Sequence, residues 1–190
     1  MNTARRTRRL FAALLAALLA TLPWAIARAD DSAQTTTEAK IKASYIYKLA
    51  AYIDWPPGDG GAVSTPFIIG IIDADSVADE LKKLSAAHPL KNRPVQIRQM
   101  AAGAPLSGLQ LLYIGQRATR SARSLFDSIA TQPVLTMSES AGSLAAGSVI
   151  NLVQVDERIR FEVSLPHADA RRLKISARLL DVAYRIEGRP

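Results

Sequence analysis

Phe67-Ile-Ile-Gly-Ile-Ile72, bounded by Pro66 and Asp73, is the stretch whose reading decides the fold. An apolar, isoleucine-rich run of this length is how a strand buried on both faces reads, and such a strand belongs in the middle of a parallel sheet. Working downstream, Val77, Leu81 and Leu84 recur at helical spacing and predict a helix over Asp75–Ala87. Pro94–Met100 alternates apolar and polar residues like a half-exposed strand, and Leu109–Ile114 is again nearly all apolar. Helix Thr119–Ala130 followed by strand Pro133–Ser138 gives a second β-α-β unit.

The flanks of this centre differ. Upstream, Thr35-x-x-Glu38 has the form of a capping box. Ile41, Tyr45, Leu49 and Tyr52, with Ile46 and Ile53 beside them, then predict a helix from Glu38 to Ile53, stopped by Trp55-Pro56-Pro57. Gly58-Asp-Gly-Gly61 continues as a loop. Downstream, Ser148–Val155 and Arg158–Val163 are separated by Asp156-Glu157 alone, a connection that only an antiparallel hairpin can use. Ile175, Leu179, Val182 and Ile186 form the stripe expected of one final helix. The sum is a single α/β domain over residues 38–187: an α/β/α sandwich with a largely parallel sheet and an antiparallel hairpin near the C-terminus.

The N-terminus reads as an export signal. Arg5-Arg-Thr-Arg-Arg9 precedes an apolar run from Leu10 to Leu22 and a small-residue stretch, Ala25-Ile-Ala-Arg-Ala29. Cleavage fits after Ala29 or after Ala27, and the first leaves Asp30 to open a polar leader, residues 30–37, expected to be disordered. The apolar run is too short for the roughly 20 residues that span a bilayer, so no membrane span is expected after cleavage. The arginines fit a twin-arginine signal as well as a general one. Residues 1–29 carry five arginines and no acid, so of 24 basic residues 19 remain against 17 acidic ones. The formal charge of +7 therefore belongs mostly to the signal, and with it goes the case for nucleic-acid binding. The expected destination is the periplasm.

Chemical signatures are sparse. The chain has no cysteine, which excludes disulfides, thiol catalysis and cysteine-held metals. No nucleophile elbow, phosphate-binding loop, zinc-protease or dinucleotide motif occurs, so neither an enzyme nor a cofactor is expected. Of two histidines, His88 lies in a loop after a helix and His167 follows Pro166 at a helix start. Asp73, Asp75, Asp79 and Glu80 sit where a strand gives way to a helix, a place for a ligand or Mg²⁺, but first-turn acids also favour the helix dipole and Asp75 or Ser76 can cap it. Val77 stands where a calcium loop needs a further oxygen ligand. Arg117, Arg120 and Arg123 read as a solvated face. Of Tyr45, Tyr47, Tyr52 and Trp55, most read as core, while Trp55 in a Pro-Pro loop is a candidate exposed anchor.

Two segments together resemble a known family. Glu38-Ala-Lys-Ile-Lys-Ala-Ser-Tyr-Ile-Tyr-Lys-Leu-Ala-Ala-Tyr-Ile-Asp-Trp-Pro56 is similar to the opening helix of the YfiR-like periplasmic proteins, coinciding at Lys42, Ala43, Ile46, Tyr47, Ala50, Trp55 and Pro56. Ile159-Arg-Phe-Glu-Val-Ser-Leu165 and Leu173-Lys-Ile-Ser-Ala-Arg-Leu-Leu-Asp-Val-Ala183 are similar to the family's closing segments. Lys48, Ser164, Arg172 and Ala177 depart from the pattern, and Ser107-Gly108 stands where relatives often carry a cysteine.

The resemblance implies a regulator that binds the periplasmic region of an inner-membrane diguanylate cyclase and represses cyclic di-GMP synthesis, with consequences for biofilm formation. Lacking cysteine, this chain has no disulfide with which to regulate that contact. The residues expected to carry the contact are Lys48, Tyr52 and Trp55, with Arg178 and Leu179 of the final helix. A homodimer is compatible with such a surface, its interface unassigned. The alternative is a periplasmic small-molecule binding protein using Asp73, Gly115 and Gln116 at the sheet's carboxyl edge.

Overall fold

A computed structural model describes residues 35–57 and 65–188, with only the backbone of Thr119 and Arg120. The expected signal, most of the leader and the Gly58–Gly61 loop lie outside the described residues. The chain divides into Met1–Glu38 and Ala39–Pro190, and the second unit holds the fold. Helix α1 covers residues 35–51. After it come β1 (Ile53–Asp54), β2 (Phe67–Ile72), α2 (Asp75–Ala87), β3 (Val95–Met100) and β4 (Leu111–Ile114). A 3₁₀ turn (Gln116–Ala118) leads into α3 (Thr119–Ser128), then β5 (Leu135–Ser138), α4 (Ser143–Ala146), β6 (Ile150–Val155) and β7 (Arg158–Ser164). The chain ends with α5 (Leu165–Ala170), β8 (Lys174–Ile175), α6 (Ala177–Leu180) and β9 (Arg185–Glu187).

The isoleucine-rich run takes the place its sequence calls for. β2 is flanked by parallel partners on both sides, with Ile69 opposite Ile97 of β3 and Leu111 of β4. The seven-stranded sheet has the order β3-β2-β4-β5-β6-β7-β9. Its first five strands are parallel and doubly wound, the direction of winding reversing between β2 and β4. Side chains therefore need cover on both faces. Ala43, Ile46 and Leu49 of α1 with Val77 and Leu81 of α2 cover Phe67, Ile69, Ile71, Leu111 and Tyr113. Ala122, Leu125 and Phe126 of α3 cover Ile72, Leu112 and Ile114 on the other face. Each such large side chain contributes roughly 1.5–3 kcal/mol by leaving water. Gly70 makes room in β2, since a Cβ there would stand 2.8 Å from Leu109 Cδ1 and 2.9 Å from Met100 Sδ.

The hairpin forms as its length demands. β6 and β7 pair antiparallel, and both turn residues, Asp156 (φ 48°) and Glu157 (φ 59°), are left-handed, as a two-residue turn matched to strand twist requires.

The last segment corrects the sequence reading. In place of one helix through Ile175 and Ile186 there are β8, the single turn α6 and β9. The apolar stripe does not share a face: Leu179 is buried while Val182 is 64% exposed. Pairing outweighs helical periodicity here, because β8 joins β1 in a two-stranded ribbon (Ile53 opposite Ile175) and Tyr184 N donates to Phe161 O, drawing the chain onto the sheet edge. Ser176 accepts from Leu179 N and caps α6 between them. The same ribbon ends α1 at residue 51, where the sequence predicts Ile53.

Candidate functional site

Two places gather the residues singled out from the sequence. The first is the switch point, where β2 and β4 end side by side and doubly wound folds bind ligands. Asp73, directly after β2, is left-handed at φ 57°. Gly115 follows β4, donates its N–H to Ile72 O at 2.9 Å, and comes so close to Asp73 that a Cβ would stand 2.2 Å from Asp73 O. Gln116 N donates to Glu139 Oε1 at 3.2 Å, and Glu139 pairs with Lys42 of α1. Arg117, read from sequence as a solvated face, lies 3.2 Å from the Asp73 carboxylate. Asp73 and Gly115 are thus brought together with Gln116 next in the chain, but Asp73 is paired with Arg117, the Gly115 amide with Ile72 O and the Gln116 amide with Glu139, which with its partner Lys42 the sequence reading left out of this site. A lone Glu after a strand carries no motif by which to find it.

The other acids of this region go elsewhere. Asp75 accepts from Gln99 at 3.1 Å, Asp79 pairs with Lys82 at 3.0 Å and Glu80 with Lys83 at 2.6 Å. The N-cap of α2 is Ala74, with no side-chain cap bond, so neither Asp75 nor Ser76 fills the capping role expected of them. His167 has its Nε2 2.9 Å from Leu144 O. Beside it the buried Arg171 donates to His167 O and to Phe126 O near the end of α3. Desolvation pulls this guanidinium below its ordinary pKa, opposed by the charge of Asp127.

The second place is the surface where α1 meets α6. Ser176 N donates to Tyr52 O at 3.1 Å, so the ribbon of β1 and β8 ties the end of α1 at Tyr52 to the start of the turn that carries Arg178. Lys48 and Arg178 are exposed, and Tyr52 is 46% exposed. Two other expected contact residues are placed differently. Leu179 is buried in the core. Trp55 is half-buried, its ring edge-on to Phe67 at 5.2 Å with Lys91 Nζ 5.5 Å from its centre. Lys91 also donates to Ile53 O and to Asp54, so Trp55 lies between an apolar ring and a tethered cation. The other α1 tyrosines turn inward, Tyr45 donating to Ile159 O at 2.9 Å and Tyr47 to His88 O, with burial pushing the Tyr47 phenol above its ordinary pKa. Besides Tyr52, the large exposed apolar residues among those described are Ile41, Val182 and Tyr184.

No helix among the described residues is long and apolar enough to cross a membrane, and these residues hold no cluster of three potential metal ligands. The sequence profile of the YfiR/HmsC-like proteins, DUF4154, matches residues 39–184. The chain belongs to the YfiR/HmsC-like family. Members of this family are periplasmic regulators linked to cyclic di-GMP signalling, not enzymes. No curated protein matches the sequence. Among solved structures, a conserved domain protein from Vibrio cholerae O1 biovar El Tor is similar with a TM-score of 0.58 and 10% identity over 78% of this chain and 60% of that one. The ABC domain in complex with L-Trp from Streptococcus pneumonia is similar with a TM-score of 0.53 and 9% identity, over the same shares. The YfiR/HmsC-like chain thus spans about 60% of the length of these structures, and at such identities the likeness is one of fold.

Proposed function

We propose that this chain is an exported inhibitor that binds the periplasmic region of an inner-membrane diguanylate cyclase through the α1–α6 surface and so represses cyclic di-GMP synthesis. The observation that supports the reading is the hydrogen bond from Ser176 N to Tyr52 O, which ties the end of α1, with exposed Lys48 and Tyr52, to the segment leading into exposed Arg178. The half-exposed Tyr52, with exposed Lys48 one turn before it on α1 and exposed Arg178 just beyond the Ser176 that bonds to it, suits a partner segment that is apolar with acidic flanks. The ring supplies contact area at small entropic cost and the cations supply orientation. Export with cleavage near Ala29, which keeps the chain on the same side of the membrane as such a partner, belongs to this reading.

The alternative, a small ligand at Asp73, Gly115 and Gln116, is favoured by their position at the switch point. It is opposed by the carboxylate of Glu139, which already accepts the amide of Gln116. A pull-down from detergent-solubilised inner membrane separates the two. The expected outcome is recovery of a membrane cyclase, with retention falling at least about tenfold for Tyr52→Ala, as for a central aromatic contact. Equal retention by the variant would remove this surface from the interface, and recovery of no membrane protein would shift the weight to the small-ligand reading.

A further inference from the structure

The two sides of α1 are built differently. Ala43, Ile46 and Ala50 turn into the core. On the opposite side Ile41, Ser44 and Lys48 follow one another at intervals of three and four residues, and Tyr52, directly after the last turn, continues the line. The line is about 16 Å long, three helical turns. A large apolar side chain stands at each end, Ile41 being 42% exposed and Tyr52 46%. Between them the surface is low: the Ser44 hydroxyl donates back to Lys40 O of its own helix at 2.9 Å, and Ala51 carries only a methyl group. The charge is of one sign. From Ala39 to Ile53 the chain has three lysines and no acid; Lys42 is paired with Glu139, while Lys40 and Lys48 are exposed and make no ion pair among the described residues.

Each feature narrows what can lie there. Low residues between two apolar posts let a second backbone come to helix-packing distance, about 8–10 Å between axes. A helix laid along the line brings its own apolar residues onto Ile41 and Tyr52 at the same spacing of three and four. Two unpaired lysines, two turns apart, call for acidic residues on that helix, and opposite charges orient it. A lipid surface fits less well, because an interfacial helix needs a broad apolar face, and here Lys48 interrupts two apolar residues set three turns apart.

We propose that the outer face of α1, from Lys40 to Tyr52, receives one amphipathic helix with acidic flanks from the partner protein, packed lengthwise. This rests on the reading of the chain as a cyclase inhibitor and adds the element it grips, a helix of the periplasmic region and not an extended loop.

Photocrosslinking of the full chain in its native host tests it, with p-benzoylphenylalanine replacing Ile41, Ser44 or Lys48, and replacing the exposed Arg98 of β3 as the control. The three α1 positions, and not Arg98, are expected to crosslink a membrane diguanylate cyclase at residues three or four apart from one position to the next. Crosslinked residues one or two apart would mark an extended segment and overturn the proposal. Crosslinking to the cyclase from Arg98 alone would overturn it and leave the inhibitor reading standing, whereas no cyclase crosslink from any position would remove both. A charge exchange gives a second readout. Lys48→Glu is expected to lower cyclase retention about tenfold, and replacing by lysine the cyclase acid nearest the position-48 crosslink is expected to restore it. Lys48 is exposed and outside any ion pair, so the urea midpoint should not move, and rescue from the partner's side cannot come from refolding this chain. Equal retention by Lys48→Glu would overturn the proposal, as would wild-type binding to phosphatidylglycerol vesicles that this substitution abolishes.

Discussion

The switch point and the α1–α6 surface both carry cations, yet they end in opposite conditions. At the switch point Asp73 meets Arg117, and Glu139 meets both Lys42 and the Gln116 amide. At the α1–α6 surface Tyr52 keeps nearly half of its area in water. The first region has converted its interactions into the stability of the chain. The second retains apolar area whose burial stabilises only an assembly. The usual ligand position is therefore not enough to argue for a ligand; what matters is whether its polar groups already have partners within the chain.

The comparison can be broken most severely at Gly115. Gly115→Ala places a Cβ against the backbone of Asp73, and the expected cost is about 3 kcal/mol, read as a lower urea midpoint with unchanged slope. Wild-type stability would mean that the two strand ends are not in contact. A smaller effect is expected of Glu139→Gln. The Lys42 and Glu139 side chains are only 17% and 11% exposed, so leaving the ammonium without its carboxylate is expected to cost about 1–3 kcal/mol. Because the pair is shielded from the ionic atmosphere, the loss should persist in high salt; a loss that vanishes there would mark an ordinary surface pair. The smallest effect sharpens the contrast from the other side. Tyr52→Ser is expected to change stability by less than about 0.5 kcal/mol in the isolated chain. A larger loss would show that Tyr52 serves the fold and not a partner.

What the sequence disclosed follows from how local each signal is. Phe67–Ile72 declares a central strand through its own composition, α2 runs from Asp75 to Ala87 as its period requires, and the hairpin turns at Asp156-Glu157 because two residues permit nothing else. Strands of two or three residues have no period to detect. The pairing of Ile53 with Ile175 and the return of Arg185–Glu187 to β7 are choices made by distant partners, and they overrule a stripe that reads as helix. The candidate site divides the same way. Lys48 and Tyr52 are exposed as their helix positions allow, while Trp55 reads as exposed from its Pro-Pro context because Phe67, the ring it packs on, belongs to another element further along the chain. Leu179 reads as surface because its neighbour Arg178 does, although one turn of helix sends the two in opposite directions.

The ribbon of β1 and β8 also sets a schedule. Parallel strands β2 to β6 pair between neighbouring segments as the chain lengthens, but the end of α1 waits for a strand near the far terminus, and Tyr45 waits for Ile159, 114 residues away. Contacts so distant along the chain form late. In a protein delivered amino end first, α1 is the earliest folded segment to emerge and among the last to be secured. The hydrogen bond that ties Tyr52 to Ser176 is made only when nearly the whole chain is present, so a half-made molecule lacks the finished end of α1.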